Sequence, residues 1–351
     1  MPVITDFAMP DPTKARYSSL ANVRTRTDRP IRVGILGCSD IARRKFIPAL
    51  LLSRKATLAV IASRDKASAL SLVPEANCPG MDYQQLITSS DVDLVYISLP
   101  NHLHEKWVIR ALEQGKHVIC EKPLGLSLPS VNRMLETAER HGRFLFENLM
   151  YLQHPQHQAV KSLITAGRIG KLLSMHTEFT FPGPIAGDFR LNPTMGGGAF
   201  HDLNRYPLSA ALFFLKGKKH SFVRGNNDIR DKLNLSLQAT SVTDEAEAFS
   251  FTIAFGQTYR SFYEIIGECG SIGIERAYTT PADRENTVTV MIDSRNESFS
   301  VPPCDHFLST IEHVSSLILR GTWSAEHERA RELAELANMF HDNCIKKGQQ
   351  T

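Results

Sequence analysis

The chain has 351 residues, a formal net charge of +3, and 22% charged and 42% hydrophobic residues, an ordinary globular make-up with length for two buried cores. So small a charge, with Lys and Arg scattered rather than gathered in a stripe, argues against a nucleic-acid partner. The six cysteines (Cys38, Cys78, Cys120, Cys269, Cys304, Cys344) form no CxxC pair and have no His at ligand spacing, so free thiols in a reducing cytoplasm are expected, with no disulfides and no metal.

Residues 1–29, rich in Pro, Thr, Arg and Asp, read as a flexible extension with no apolar run of signal-peptide length. No 18-residue apolar stretch occurs, so no membrane span is expected. From Ile31 short β-branched runs alternate with helical-period segments. Strands are expected at 32–36, 58–62, 93–98, 117–120 and 144–147, with helices at 41–53, near 66–72, at 104–114 and at 129–141. This alternation over 30–150 predicts a doubly wound, mostly parallel α/β sheet of the Rossmann kind. Residues 151–351 read as a second, α+β domain. A helix at 155–166 leads to a strand at 172–181, then a Pro/Gly loop and the segment 195–215. Strands at 233–240, 248–255, 261–266, 271–275 and 287–292 follow with few helices between them, which predicts an open, mainly antiparallel sheet. Helices at 306–319 and 325–346 close the chain.

Where the first strand turns into the first helix, Gly37, Cys38, Ser39, Asp40, Ile41 and Ala42 approximate a dinucleotide-binding fingerprint. Gly37 makes the tight turn and Ala42 allows close helix–strand packing, while Ser39 occupies the place of the middle glycine. A Cβ there narrows the approach of a pyrophosphate, although its hydroxyl can donate to a phosphate oxygen. A plain strand–helix turn is the bland alternative; the position at the head of a βαβ series favours the cofactor. Past the second strand, Ser63 and Arg64 offer a hydroxyl and a guanidinium for a 2′-phosphate, which favours NADP. Asp65 leaves NAD open, its bland role being a helix cap.

The chain resembles the glucose–fructose oxidoreductase / inositol dehydrogenase / MocA family over nearly its whole length from about Arg32. The resemblance is carried by the Gly37–Ala42 loop, by Leu99-Pro100-Asn101 with His104, by Glu121-Lys122-Pro123, and by Gly196-Gly197-Gly198-Ala199 followed by Asp202 and Tyr206. Within that family it is most similar to the NADPH-dependent 3-ketoreductases of nucleotide-activated deoxysugars, through Asn148-Leu149-Met150-Tyr151, His154-Pro155-Gln156-His157 and Gly187-Asp188-Phe189-Arg190. The resemblance implies a second domain that binds substrate and makes oligomer contacts, giving a homodimer or homotetramer. It implies Lys122 and Tyr206 as the catalytic pair, with Lys122, Asp202 and Tyr206 at the substrate. It implies a cofactor site built from Gly37, Cys38, Ser39, Asp40, Ile41, Ala42, Ser63, Arg64, Leu99, Pro100, Asn101, His104, Glu121, Lys122, Asn148 and Arg190. Three positions depart from the common pattern: Ser39, His201 in an apolar place, and Tyr206 where many relatives carry His.

The residues suit reduction of a ketone. A tyrosine stays protonated at neutral pH and can protonate the developing alkoxide, while a lysine ammonium stabilises both phenolate and alkoxide. A lone lysine in a loop is usually a solvated charge, but Lys122 sits at the carboxyl end of a strand, where such sheets bind ligands. Without the resemblance, Tyr206 reads equally as a core residue of the apolar helix 207–215, and His201 and Asp202 as caps of it. His154 and His157 read as surface or pocket-wall histidines. The Gly196–Gly198 run suggests a close approach of backbone to substrate or nicotinamide, and Arg190 and Arg205 can pair with a diphosphate. The leading expectation is an NADPH-dependent 3-ketoreductase of a nucleotide-activated sugar. The alternatives are a dehydrogenase of a free sugar, inositol or dihydrodiol, and a non-catalytic, cofactor-sensing regulator of the same fold.

Overall fold

The computed structural model describes residues 29–65 and 80–346; the extension at 1–28, the helix expected near 66–72 and Cys78 lie outside them. Six strands form the first sheet: β1 (Ile31–Leu36), β2 (Ala56–Ala62), β3 (Gly80–Met81), β4 (Leu94–Ile97), β5 (His117–Cys120) and β6 (Leu145–Glu147), in the order β3-β2-β1-β4-β5-β6. Every pairing is parallel. The order reverses between β1 and β4, opening a crevice at their carboxyl ends. Both faces are covered, so β4 and β5 are buried at every residue, as apolar runs without alternation require.

The first connection is a π-helical turn, Ala42–Phe46, running into α1 (Ile47–Leu51), where one longer helix was expected. Further along come α2 (Tyr83–Thr88), α3 (His104–Glu113) and α4 (Leu128–Arg140). The sequence had not suggested β3 or α2. Asp82 caps α2 in a reciprocal capping box with Gln85, a local signal that marks a helix start.

After α5 (Pro155–Thr165) comes β7 (Leu172–Phe181) and, past a loop, α6 (Ala199–Leu203) and α7 (Arg205–Phe214). Then follow β8 (His220–Arg230), β9 (Leu233–Thr243), β10 (Ala248–Phe255), β11 (Arg260–Gly267), β12 (Gly270–Glu275), β13 (Asn286–Ile292) and β14 (Arg295–Val301). With β7 they form an eight-stranded sheet, β14-β13-β12-β11-β7-β10-β9-β8, antiparallel except for β7 beside β10. One face packs on the helices through Phe179, Phe249, Phe251, Tyr263 and Ile265; the other carries His176, Glu178, Phe262 and Glu264, all partly exposed.

The closing helices α8 (His306–Arg320) and α9 (Ser324–Phe340), grouped by sequence with the second domain, return to the first sheet. Phe307, Ile311 and Val314 join Val33, Ile35 and Phe46 in one core cluster. Glu312 accepts from the Ser53 hydroxyl at 2.6 Å and the Arg54 N–H at 2.8 Å. His327 on α9 accepts the Leu145 N–H of β6 at 3.1 Å, and Trp323 stacks on Phe144.

Candidate active site

The turn after β1 is held tightly. Gly37 has φ of +108°, and a Cβ on it would come within 2.9 Å of Leu99 Cδ2 and 3.1 Å of the Ser98 carbonyl. Only glycine suits that backbone region in so close a space. The Ser98 hydroxyl donates to the Gly37 carbonyl, which joins the loops after β1 and β4. Ser39 Oγ accepts the Ala42 N–H at 3.1 Å, so its own hydrogen remains free for a phosphate oxygen. Asp40 is exposed and pairs with Arg43 and Arg44, Ile41 is exposed, and Cys38 lies next to Ser63. Ser63 is buried at the end of β2 and Arg64 beside it is exposed. A glycine that a Cβ would block, a free hydroxyl and an outward guanidinium fit a dinucleotide with a 2′-phosphate.

Leu99, Pro100 and Asn101 follow β4, and Asn101 Nδ2 donates to the Gly196 carbonyl at 2.9 Å, bridging the two domains. His104 opens α3 fully buried, with Nδ1 2.8 Å from the Pro123 carbonyl and Nε2 2.8 Å from that of Leu99. Expected as a cofactor ligand, it is instead sealed away, and it ties the loops after β4 and β5 together. Burial pushes its pKa down, with the two carbonyls partly opposing.

Glu121 and Lys122 leave the carboxyl end of β5. Glu121 Oε1 accepts from Tyr96 Oη and Asn148 Nδ2, both at 2.6 Å. Burial raises its pKa, and these two donors offset only part of that. Asn148 is buried, its Oδ1 without a partner among the described residues.

Lys122 Nζ donates to Asp202 Oδ1 at 2.6 Å and to the Asp202 carbonyl at 2.7 Å. It stands 5.3 Å from the centre of the Tyr206 ring. Asp202 comes from α6 and Tyr206 from α7, so three expected residues from two domains meet at one point. Burial disfavours the Lys122 ammonium, but the Asp202 charge, Tyr206 and the hydrogen bond to Asp202 together outweigh it, and its pKa is raised. Burial raises the Tyr206 pKa too, and Lys122 opposes this. The phenol is therefore protonated at neutral pH and has a cation beside it to receive phenolate charge.

Arg190, expected at the cofactor, pairs within the protein with Asp202 Oδ1 (Nε, 3.3 Å) and Asp188 Oδ2 (Nη1, 2.9 Å). Arg205 lies buried against Glu147 at 2.9 Å, both side chains at most 5% exposed, so it is closed to a diphosphate. The glycine run was read as a close approach to a ligand, but its neighbours are protein. Gly196 and Gly198 take positive φ, and a Cβ on Gly197 would lie 2.5 Å from the Arg190 carbonyl and 2.7 Å from that of Asn192.

His154 and His157 are buried rather than at a surface, and His157 Nδ1 sits 3.0 Å from Tyr263 Oη. Among the described residues no group of three or more His, Cys, Asp or Glu is placed to hold a metal. His201 is buried near His341, its pKa pushed down to about 3 by burial. Sequence reasoning missed Tyr96, Asp188 and the Arg205–Glu147 pair. A lone hydroxyl in the otherwise apolar β4 was the available signal for Tyr96.

Two family models match the chain: the oxidoreductase family with NAD-binding Rossmann fold over residues 31–149, and the Gfo/Idh/MocA C-terminal domain over 157–273. The dTDP-3,4-didehydro-2,6-dideoxy-alpha-D-glucose 3-reductase of Actinomadura kijaniata is 35% identical over 87% of this chain and 94% of that protein. A D-xylose 1-dehydrogenase (NADP(+)) of Haloferax volcanii is 30% identical over 82% of this chain and 89% of that protein. Among solved structures, a 3-ketoreductase from Actinomadura kijaniata in complex with NADP and TDP-benzene superposes with a TM-score of 0.87 at 32% identity, covering 90% of this chain and 98% of that one. With both domains matched and the Lys122 site assembled between them, the chain belongs to the Gfo/Idh/MocA family of oxidoreductases.

Proposed function

We propose that the protein is an NADPH-dependent reductase of a keto group, at C3, on a nucleotide-activated deoxysugar. The observation that carries this reading is the convergence of Lys122, Asp202 and Tyr206 at the carboxyl end of β5, in a chain 35% identical to a dTDP-sugar 3-reductase. Gly37, Ser39, Ser63 and Arg64 would hold the cofactor, with Glu121 and Asn148 toward its nicotinamide end. Bound by these residues, NADPH would supply the hydride that the carbonyl carbon takes up. Asp202 takes two N–H groups of Lys122, leaving the third to donate to the substrate oxygen. That donor stabilises negative charge as the carbonyl becomes an alkoxide. Tyr206 gives its phenolic proton to the alkoxide, and the adjacent ammonium stabilises the phenolate left behind. One hydride and one proton convert the ketone to an alcohol.

NADPH and nucleotide sugars are cytoplasmic metabolites, and the thiols of Cys120, Cys269 and Cys304 suit that compartment. No helix among the described residues is long and apolar enough to cross a membrane. The uncovered face of the large sheet, with a concavity of about 680 Å³ lined by Arg260, Glu264, Arg276 and Glu285, carries both charge signs and suits a second copy in a homodimer or homotetramer. The decisive assay follows NADPH oxidation against keto-sugar nucleotides and free keto-sugars. Turnover confined to the nucleotide-linked ketones is expected. Turnover of free sugars alone would favour the dehydrogenase alternative, and none with any compound a regulatory role.

A further inference from the structure

Arg190 is the outermost member of a chain of charges leading to Lys122. It and Lys122 approach the same oxygen, Asp202 Oδ1, at 3.3 and 2.6 Å, which puts the two cations no more than about 6 Å apart. The side chains of Lys122 and Asp202 are 14% and 10% exposed, that of Arg190 38%. An entering solute therefore meets the guanidinium first.

The backbone at Arg190 is built in. Its N–H donates to Asp188 Oδ1 at 2.9 Å, and its carbonyl accepts from Gly198 N at 2.8 Å. Gly197 packs so closely beneath that carbonyl that a side chain is barred. The main chain is fixed while the side chain reaches into the mouth of the site. Nε and one Nη1 hydrogen face carboxylates, and a guanidinium carries five N–H donors in a planar fork, so donors remain for a phosphate oxygen.

We infer that Arg190 is the residue that binds the phosphate next to the sugar and so sets the distance from that phosphate to Lys122. This rests on the reading that the substrate is nucleotide-activated. In such a sugar the phosphate hangs on the oxygen at C1, two ring carbons from C3. A ketone at Lys122 then brings the phosphate to a cation one carboxylate away, and a free sugar has nothing to offer it.

Calorimetric binding of dTDP to the NADPH-loaded protein tests this without needing turnover. Arg190→Gln should weaken dTDP binding at least tenfold, with NADPH affinity within twofold of wild type as the check on folding. Arg190→Lys, which keeps the charge but loses the fork, should fall between the two. Equal dTDP affinity in wild type and Arg190→Gln overturns the inference, as does a wild type that binds no dTDP. A parallel loss of NADPH affinity also overturns it, by making Arg190 a cofactor ligand. If wild type binds dTDP through Arg190 but reduces no keto-sugar, the proposed reaction fails and the phosphate site stands.

Discussion

Lys122 and Asp202 meet at 2.6 Å across the seam between two domains, one from the end of a parallel strand and the other from a short helix 80 residues later. The ion pair holds both the ammonium and the domain arrangement that brings Tyr206 to it. Lys122→Ala removes the donor to the developing alkoxide, and the loss of one such group is on the order of a hundredfold or more in turnover. The expected result is that drop in kcat with NADPH affinity changed by no more than a few-fold, read by stopped-flow kinetics and fluorescence quenching. A large rise in the NADPH dissociation constant would make Lys122 chiefly a cofactor ligand.

Tyr206→Phe keeps the ring against Phe179 and Tyr278 and deletes only the hydroxyl that carries the proton. A fall in kcat of about a hundredfold is expected, within the usual range for a general acid, with the melting temperature nearly unchanged. A variant that turns over at the full rate would remove Tyr206 as the donor and leave the proton to Lys122 or water.

The cofactor preference is open to a direct comparison. NADPH should quench intrinsic fluorescence at lower concentration than NADH. Arg64→Ala should weaken NADPH by roughly tenfold, the scale of one charge-assisted hydrogen bond, with little effect on NADH. The reverse order of the two cofactors in wild type would overturn the assignment of Ser63 and Arg64.

Gly197→Ala places a methyl group 2.5 Å from the Arg190 carbonyl, where backbone has to move. Overpacking of this kind destabilises by about 1–3 kcal/mol, so a lower urea midpoint is expected, together with reduced turnover because the Arg190 segment shifts. Wild-type stability and kinetics would show that the loop yields without consequence.

Acid should destabilise the fold well above the carboxylate range. Burial depresses His117, His154 and His306 to about 4 and His201 to about 3. An unfolded histidine titrates near 6.5, so between about pH 6.5 and 4 the unfolded chain binds protons that the folded one refuses. Stability is then full above 6.5 and falls as the pH drops through that window. Glu121, its pKa raised by burial, pulls the other way, but it is one group against four. Asp93 is held at about 2: burial opposes its charge, but hydrogen bonds from Arg32 and Arg29 prevail, so its contribution persists until still lower pH. A urea midpoint that stays level from pH 7 to 4.5 would contradict this account.

The parallel sheet was legible because β1, β4 and β5 are short apolar runs, with Gly37 after β1 and Gly115 before β5 marking the turns. Of the large sheet, the strands that escaped notice, β8 and β14, lie at its two edges, mostly exposed. An edge strand with few buried contacts needs no apolar alternation, so its sequence carries little pattern. Lys122, Asp202 and Tyr206 were named from motif order, since no periodicity puts residues this far apart in contact. The same motif reading misplaced His104, whose two carbonyl partners depend on loop geometry. Nor did the sequence show the protein neighbours of the glycine run, since Arg190 and Asn192 crowd Gly197 in a turn that no local pattern encodes.

The return of α8 and α9 to the first sheet bears on how the protein is made. Phe307, Ile311 and Val314 fill a core whose other side comes from β1 and the first helical turns, and His327 holds the last strand of that sheet. During synthesis from the amino terminus, the cofactor domain emerges long before these helices. Until they arrive it exposes an apolar face to water and to other nascent chains. Folding of the first half is therefore expected to wait for the last, and calorimetry should show the two domains melting as one cooperative unit rather than in two steps.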